Sequence, residues 1–267
     1  MKAARLLLVI VLAAAMGAIL YWWYAPVPQA PPAEVAEPVS APEKTPVPKI
    51  RHPLPEAAPE EGEGEKAEEP LPSLDESDPP LRQALADLLP ERPLEDLLIL
   101  RNIVGRVVLM VDALPRDSMP RGRLPVRPAP GDFLVEHGPD GPVVSPENDR
   151  RYAPYVRLIE AVDTDALISL YLRYYPLFQQ VYEEMGYPDR YFNDRLMQVI
   201  DHLLETPDVE APVRLVQPKV RYRYADPQLE SLSAGRKILI RIGSENAAVL
   251  KGKLREIRDA LIEAQMR

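Results

Sequence analysis

The chain has 267 residues, 46% of them apolar and 27% charged, which is material for one or two globular domains. It has no cysteine, which excludes a disulfide scaffold, a zinc finger, a thiol nucleophile, an iron–sulfur site and an acylated lipoprotein cysteine. Its three histidines, His52, His137 and His202, lie too far apart in sequence to suggest a multi-histidine metal centre, and a net charge of −9 argues against a dedicated nucleic-acid binder.

The first element is apolar. Residues 6–24 carry no charge, and as a helix these 19 residues would span roughly 28 Å, close to the ~30 Å hydrocarbon core of a bilayer. Lys2 and Arg5 precede the run and the next basic residue is Lys44, so the positive-inside rule keeps the N-terminus cytoplasmic and sends the rest across. Tyr21, Trp22, Trp23 and Tyr24 sit together at the far end, where amphipathic rings favour the headgroup layer. A cleaved signal peptide shares the positive start and the apolar core. However, Ala13, Ala14 and Ala15 lie inside the run, and no small-x-small site follows it. Residues 1–25 are therefore expected to form a cytoplasmic tip and an uncleaved transmembrane signal-anchor. In a double-membrane bacterium this places the remainder in the periplasm.

Residues 26–77 read as a disordered Pro/Glu-rich linker. Between residues 26 and 80 there are 15 prolines and 13 acidic against four basic side chains, a balance of −9 that equals the charge of the whole protein. The acidic character thus belongs to the spacer, and the chain beyond it is nearly neutral. Such a segment cannot bury enough apolar area to offset chain entropy. Proline and like-charge repulsion extend it toward polyproline II, with an upper reach of about 170 Å at ~3.1 Å per residue. His52 falls here and is expected to be solvated. A proline-rich docking site for partners is a sharper alternative to a plain tether.

Residues 78–267 predict a mainly α domain with a small β-hairpin or short extended segments. Asp78-Pro79-Pro80 supplies a cap and first-turn prolines for a helix whose stripe is Leu81, Ala84, Leu85, Leu88 and Leu89. A second helix is expected over residues 94–111, apolar around most of its girth but interrupted by Arg101, Asn102 and Arg106, as suits a buried core helix. The segment 112–150 is rich in proline and glycine. Within it Gly138-Pro139-Asp140-Gly141, between residues 133–137 and 143–144, predicts a hairpin with His137 on its surface.

Further on, a short helix is expected over residues 155–162. Asp163 should cap a longer one to Met185, kinked or split at Pro176 and ended by Gly186. Asp189 should start the next, ending near Glu205. Residues 213–216 and 220–224 are extended candidates, the second alternating Val-Arg-Tyr-Arg-Tyr. Asp226-Pro227 opens a helix expected to reach Ile242, and Ser244 should cap the last, with Ala247, Leu250, Leu254, Ile257 and Leu261 on one face.

The strings Tyr175-Pro-Leu-Phe-Gln-Gln, Glu183-Glu-Met-Gly-Tyr-Pro and Tyr191-Phe-Asn-Asp-Arg, with His202-Leu-Leu, Val216-Gln-Pro, Tyr224-Ala-Asp-Pro and Leu232-Ser-Ala-Gly, carry a resemblance. Across roughly residues 80–262 the chain resembles the bacterial membrane proteins grouped as domain-of-unknown-function family 3014. That resemblance implies an envelope location and no activity, ligand or catalytic residue.

The residues themselves offer three constellations. Asp194, Gln198, His202 and Glu205 are spaced to share one polar helix stripe, and a histidine near a carboxylate in a last turn could act as acid or base. A solvated face whose histidine complements the helix dipole accounts for the same pattern. Glu183 and Glu184, with Asp189 and Asp194 nearby, invite a two-carboxylate hydrolase reading, although acidic pairs on helices are commonplace. Ten of the twelve tyrosines lie between Tyr152 and Tyr224, as suits either a groove for a peptide or sugar or a core with satisfied hydroxyls.

The candidate binding residues are Tyr175, Glu183, Tyr187, Tyr191, Asn193, Asp194, Arg195 and His202. No phosphate loop, dinucleotide fingerprint, calcium loop or nucleophile elbow is present, so neither a cofactor nor a metal is expected. The expected function is that of a membrane-anchored envelope protein whose helical domain binds a protein or cell-wall partner. An envelope hydrolase is the alternative.

Overall fold

The chain divides into a unit Met1–Pro46 and a unit Val47–Arg267. The structure, a computed structural model, describes residues 50–54, 70–89, 94–120 and 122–266, all in the second unit. The expected span at residues 6–24 lies outside the described residues. Among those described, no helix is long and apolar enough to cross a membrane.

Order begins before residue 78. A 3₁₀ turn, Leu74–Glu76, leads into α1, Asp78–Leu88. The Ser77 hydroxyl, 1% exposed, donates to the Leu74 carbonyl at 2.7 Å, and Leu74 packs on the main core. Residues 74–77, expected in the linker, thus pack with the domain. A leucine that can reach apolar surface joins the domain despite its proline-rich surroundings.

The helix expected over residues 94–111 is broken into α2, Leu94–Leu97, and α3, Ile103–Ala113. Asn102 adopts φ +48°, in the left-handed region where asparagine is among the few tolerated non-glycine residues. The Asp78 carboxylate accepts the main-chain N–H groups of Asn102 at 2.5 Å and Ile103 at 2.9 Å. Asp78 thus caps α3 across 25 residues, rather than the helix it begins. Between α2 and α3 the chain runs extended, its Ile99 N–H bonded to the Pro125 carbonyl at 2.7 Å.

The hairpin forms as expected from β1, Val135–Gly138, and β2, Gly141–Val144, with Val135 opposite Val144 and His137 exposed. Helix α4, Glu147–Glu160, starts earlier than the expected 155–162 and carries Pro154 inside it. Glu147 and Asp149 in its first turn suit the positive end of the helix dipole. Asp163 caps α5, Thr164–Glu184, through the Ala166 N–H at 2.8 Å, as its position predicts. Pro176 sits within α5 without splitting it, and Gly186 takes the positive φ after it.

Helix α6, Phe192–Leu204, is started not by Asp189 but by Gln179 of α5, whose Oε1 accepts the Phe192 N–H at 2.8 Å. Short strands β3, Leu215–Val216, and β4, Arg223–Tyr224, pair antiparallel. The single helix expected from residue 227 to 242 is two, α7, Pro227–Glu230, and α8, Ala234–Arg241. Ser233 divides them by accepting the Arg236 N–H at 3.3 Å. Helix α9, Ser244–Gln265, follows Gly243 at φ +90°, and Ser244 makes no side-chain cap there.

The described chain is therefore mainly helical with a small antiparallel hairpin. Its main core joins α3, α5 and α6 through Val104, Val108, Phe178, Tyr182, Phe192 and Leu203. A second cluster, Ile168, Met197, Ile200 and Leu261, seats α9 on α5 and α6. Helix α6 is thus packed on two sides, and its remaining polar stripe faces outward in a fixed position.

Candidate functional site

The four residues expected on one stripe of α6, Asp194, Gln198, His202 and Glu205, all line a single open groove of about 720 Å³. Tyr191, Arg195 and Asp201 line it too, with Arg190 before the helix and Pro115 after α3. The other three lining residues are Tyr182 of α5 and, from the segment assigned to the linker, Arg51 and His52.

At the N-terminal end of the groove the site is a clamp on main chain. Asp194 accepts the N–H of Arg51 at 3.0 Å through Oδ2 and that of His52 at 2.6 Å through Oδ1. Asn193 donates from Nδ2 to the His52 carbonyl at 3.0 Å, and the Tyr191 hydroxyl accepts the Leu54 N–H at 3.0 Å. Every one of these contacts reaches backbone. His52 is therefore half-buried rather than solvated, with Nδ1 3.3 Å from Gln265 Oε1 of α9.

The clamp is braced from behind. Asn193 is 0% exposed, and its Oδ1 accepts from the Tyr171 hydroxyl at 3.2 Å. The Tyr175 ring packs 5.3 Å from Tyr191, and its own hydroxyl donates to Gln179 at 2.9 Å. Burial pushes both the Tyr171 and Tyr175 phenols well above their ordinary value, so they stay neutral hydrogen-bonding groups.

The middle of the groove is an ion-pair node. The Asp112 carboxylate, 2% exposed at the end of α3, binds Arg116 one turn on and Arg195 of α6 at 3.2 Å. Arg195 also donates to the Asp112 carbonyl at 2.9 Å and to Gln198 at 2.9 Å. Tyr187 stacks on Tyr182 at 4.6 Å, and its hydroxyl accepts from Arg116 at 3.0 Å. Arg195 thus ties α3 to α6, and Tyr187 ties the end of α3 to α5.

At the C-terminal end His202 Nε2 lies 2.8 Å from Ser233 Oγ. Partial burial and the nearby Arg236 guanidinium hold its imidazole below the ordinary histidine value, against a smaller pull from Glu205. A serine and a histidine at this distance resemble a nucleophile and its base. Here, however, Ser233 is itself a buried helix cap and does not line the groove.

Of the expected binding residues, Tyr191, Asn193, Asp194, Arg195 and His202 come together along α6, with Tyr175 and Tyr187 supporting from beneath. Glu183 does not join them. It is exposed and accepts from Gln179 at 2.7 Å, while Glu184 accepts from Gln180 at 2.9 Å, and neither lines the groove. Glu183 and Glu184 are thus two surface residues held by glutamines of their own helix. Among the described tyrosines, Tyr174, Tyr182 and Tyr224 are buried outright, and Tyr152, Tyr171, Tyr175 and Tyr187 pack against the main core. Among the described residues no group of three or more His, Asp or Glu side chains could hold a metal ion.

Asp112, Gln179 and Gln265 have no local signal, since their roles arise between distant elements. The segment 50–54 does carry one: Ile50 and Leu54 interrupt an otherwise apolar-poor stretch.

The fold and groove define a small helical domain with an outward-facing polar stripe along α6. Over residues 103–258, more than half of the chain, the sequence matches the family described as Protein of unknown function (DUF3014), and the chain belongs to that family. No curated protein and no solved structure matches the chain.

Proposed function

We propose that this is a single-pass, membrane-anchored protein of the cell envelope whose extracytoplasmic domain binds an extended polypeptide segment of another envelope component in the groove along α6. The observation that carries the reading is the clamp on residues 50–54. Asp194, Asn193 and Tyr191 present one anionic acceptor, one donor and one hydroxyl to successive backbone groups, which is how an extended peptide is held irrespective of its side chains.

The chain's own tether is the occupant in cis, present at an effective concentration on the order of millimolar. A partner segment displaces it. Docking also shortens the tether, because about 25 residues instead of about 50 then separate the anchor from the domain, roughly halving the ~160 Å maximal reach. Partner binding and extension of the domain from the membrane are coupled by that exchange.

The test is titration of a labelled peptide carrying residues 50–54 into the detergent-solubilised full chain whose own segment is undocked by His52→Pro, which removes a main-chain donor to Asp194. Saturable binding is expected, at least tenfold weaker to the unsubstituted chain and lost when Asp194→Ala is added. Equal binding by all three chains would overturn the proposal.

A further inference from the structure

We propose that the β3–β4 hairpin is a second interaction surface, one that docks on a membrane surface bearing anionic lipid. The pairing splits the hairpin cleanly. Leu215 lies opposite Tyr224 and both are buried, whereas Val216 lies opposite Arg223 and both are exposed. The outer face therefore presents one valine and one arginine side by side. The loop between the strands adds Lys219, Val220 and Arg221, all exposed, and Gln217 closes it by donating to the Val220 carbonyl at 3.3 Å. That closure leaves Val220 at the tip, 90% exposed, while Val216 is 45% exposed.

All but one of the cations around this face lack an acidic partner among the described residues. Arg214, before β3, pairs with Asp140 at 2.8 Å, but Lys219, Arg221 and Arg223 make no ion pair. Behind the loop a cavity of about 420 Å³ is lined by Arg221, Arg223 and Arg241. The two acids in its wall are Glu230 and Asp132. Glu230 is engaged by the Tyr224 N–H at 3.0 Å and by Lys237 at 4.0 Å. Asp132 is left as one exposed acid against Lys219, Arg221 and Arg223, so the face that reaches solvent is net cationic.

Two properties select the occupant. Exposed cations draw any anionic surface, but a soluble polyanion would leave Val216 and Val220 in water. A lipid surface satisfies both, with phosphates against the Lys and Arg side chains and the valines at the headgroup boundary. The apolar run at residues 6–24 would hold this domain within tether reach of such a surface. The surface is separate from the α6 groove and does not depend on what that groove binds.

The absence of cysteine makes the test direct, because Val220→Cys creates a unique labelling site. The full chain carrying an environment-sensitive fluorophore there is reconstituted into vesicles of phosphatidylcholine alone, or of phosphatidylcholine mixed with phosphatidylglycerol. A blue shift with quenching by a lipid-borne nitroxide is expected only in the mixed vesicles. It should vanish at about 1 M salt, where charges are screened beyond about 3 Å. Lys219→Glu, Arg221→Glu and Arg223→Glu together should weaken docking by about a hundredfold or more, from about fivefold per lost cation. Arg157→Glu, an exposed cation on α4, should leave the signal unchanged. Identical emission in the two vesicle types would overturn the proposal, as would equal loss from Arg157→Glu. So would a response to soluble polyphosphate with none to vesicles.

Discussion

The main-chain N–H of His52 donates to Asp194 Oδ1 at 2.6 Å, joining two residues 142 positions apart in sequence. Asp194 sits in the first turn of α6, where a carboxylate is already favoured by the helix dipole. A charge stabilised there still has lone pairs for donors from outside the helix, and the tether supplies two. The same carboxylate therefore serves the helix and the clamp, so its loss should be felt mainly by the tether.

Asp194→Ala is expected to release residues 50–54 while leaving the domain folded. Two charge-assisted hydrogen bonds are lost, each worth about 1.5–3 kcal/mol in favourable settings, so hydrogen-exchange protection of the Arg51 and His52 amides should fall at least tenfold. Protection across α3 and α5 should change little. If the Arg51 and His52 amides exchange at the same rate in both chains, the clamp is not holding them.

Asp78→Ala should destabilise the domain by about 1–2 kcal/mol, the range for a lost helix cap, although Asp78 is only half-buried and does not line the α6 groove. Its carboxylate satisfies two amides at the head of α3, which carries the buried Val104 and Val108. Urea denaturation reads the change as a lower midpoint with an unchanged slope. Asp78→Asn keeps one acceptor oxygen and should recover part of the loss.

What the sequence made legible here was what acts locally. The α6 stripe of Asp194, Gln198, His202 and Glu205 follows from helical spacing, and all four line one groove. The Asp163 cap and the hairpin turn at Gly138–Gly141 likewise depend on neighbours in sequence. The breaks were not legible, because each is imposed from a distance. Asp78 stops the α2–α3 run by capping Ile103, and Gln179 rather than Asp189 starts α6. Pro154 and Pro176 lie inside continuous helices because packing along a helix outweighs one missing main-chain bond. Composition marked residues 50–54 as linker, since five residues cannot offset a proline-rich background. Only the groove shows why these five are held.

His202 should make stability fall as the medium is acidified. Its folded-state value lies below the ordinary ~6.5 because burial and Arg236 disfavour the imidazolium, so the unfolded chain binds the proton more readily. Stability is then unaffected well above pH 6.5, declines as pH falls through 6.5 toward the lower folded value, and levels off below it. His202→Gln, which keeps a polar group near Ser233, should flatten that part of the profile in chemical denaturation between about pH 5 and 8. A decline of the same size in the variant would assign it to other groups.

The clamp makes a sharper demand on residues 50–54, because it grips backbone and not side chains. Arg51→Ala leaves both N–H donors to Asp194 intact and should leave the tether docked, since the Arg51 side chain makes no ion pair among the described residues. His52→Pro removes the donor of the shortest bond in the clamp, at 2.6 Å. It should undock the segment as thoroughly as Asp194→Ala. His52→Ala separates the two effects, for it loses only the 3.3 Å contact with Gln265 and keeps the main-chain donor. Limited proteolysis of the tether orders the chains: wild type and Arg51→Ala slowest, His52→Ala slightly faster, His52→Pro and Asp194→Ala fastest. If His52→Ala were cut as fast as His52→Pro, recognition would lie in the imidazole and not in the main chain. The groove would then select a partner by sequence rather than by extended conformation.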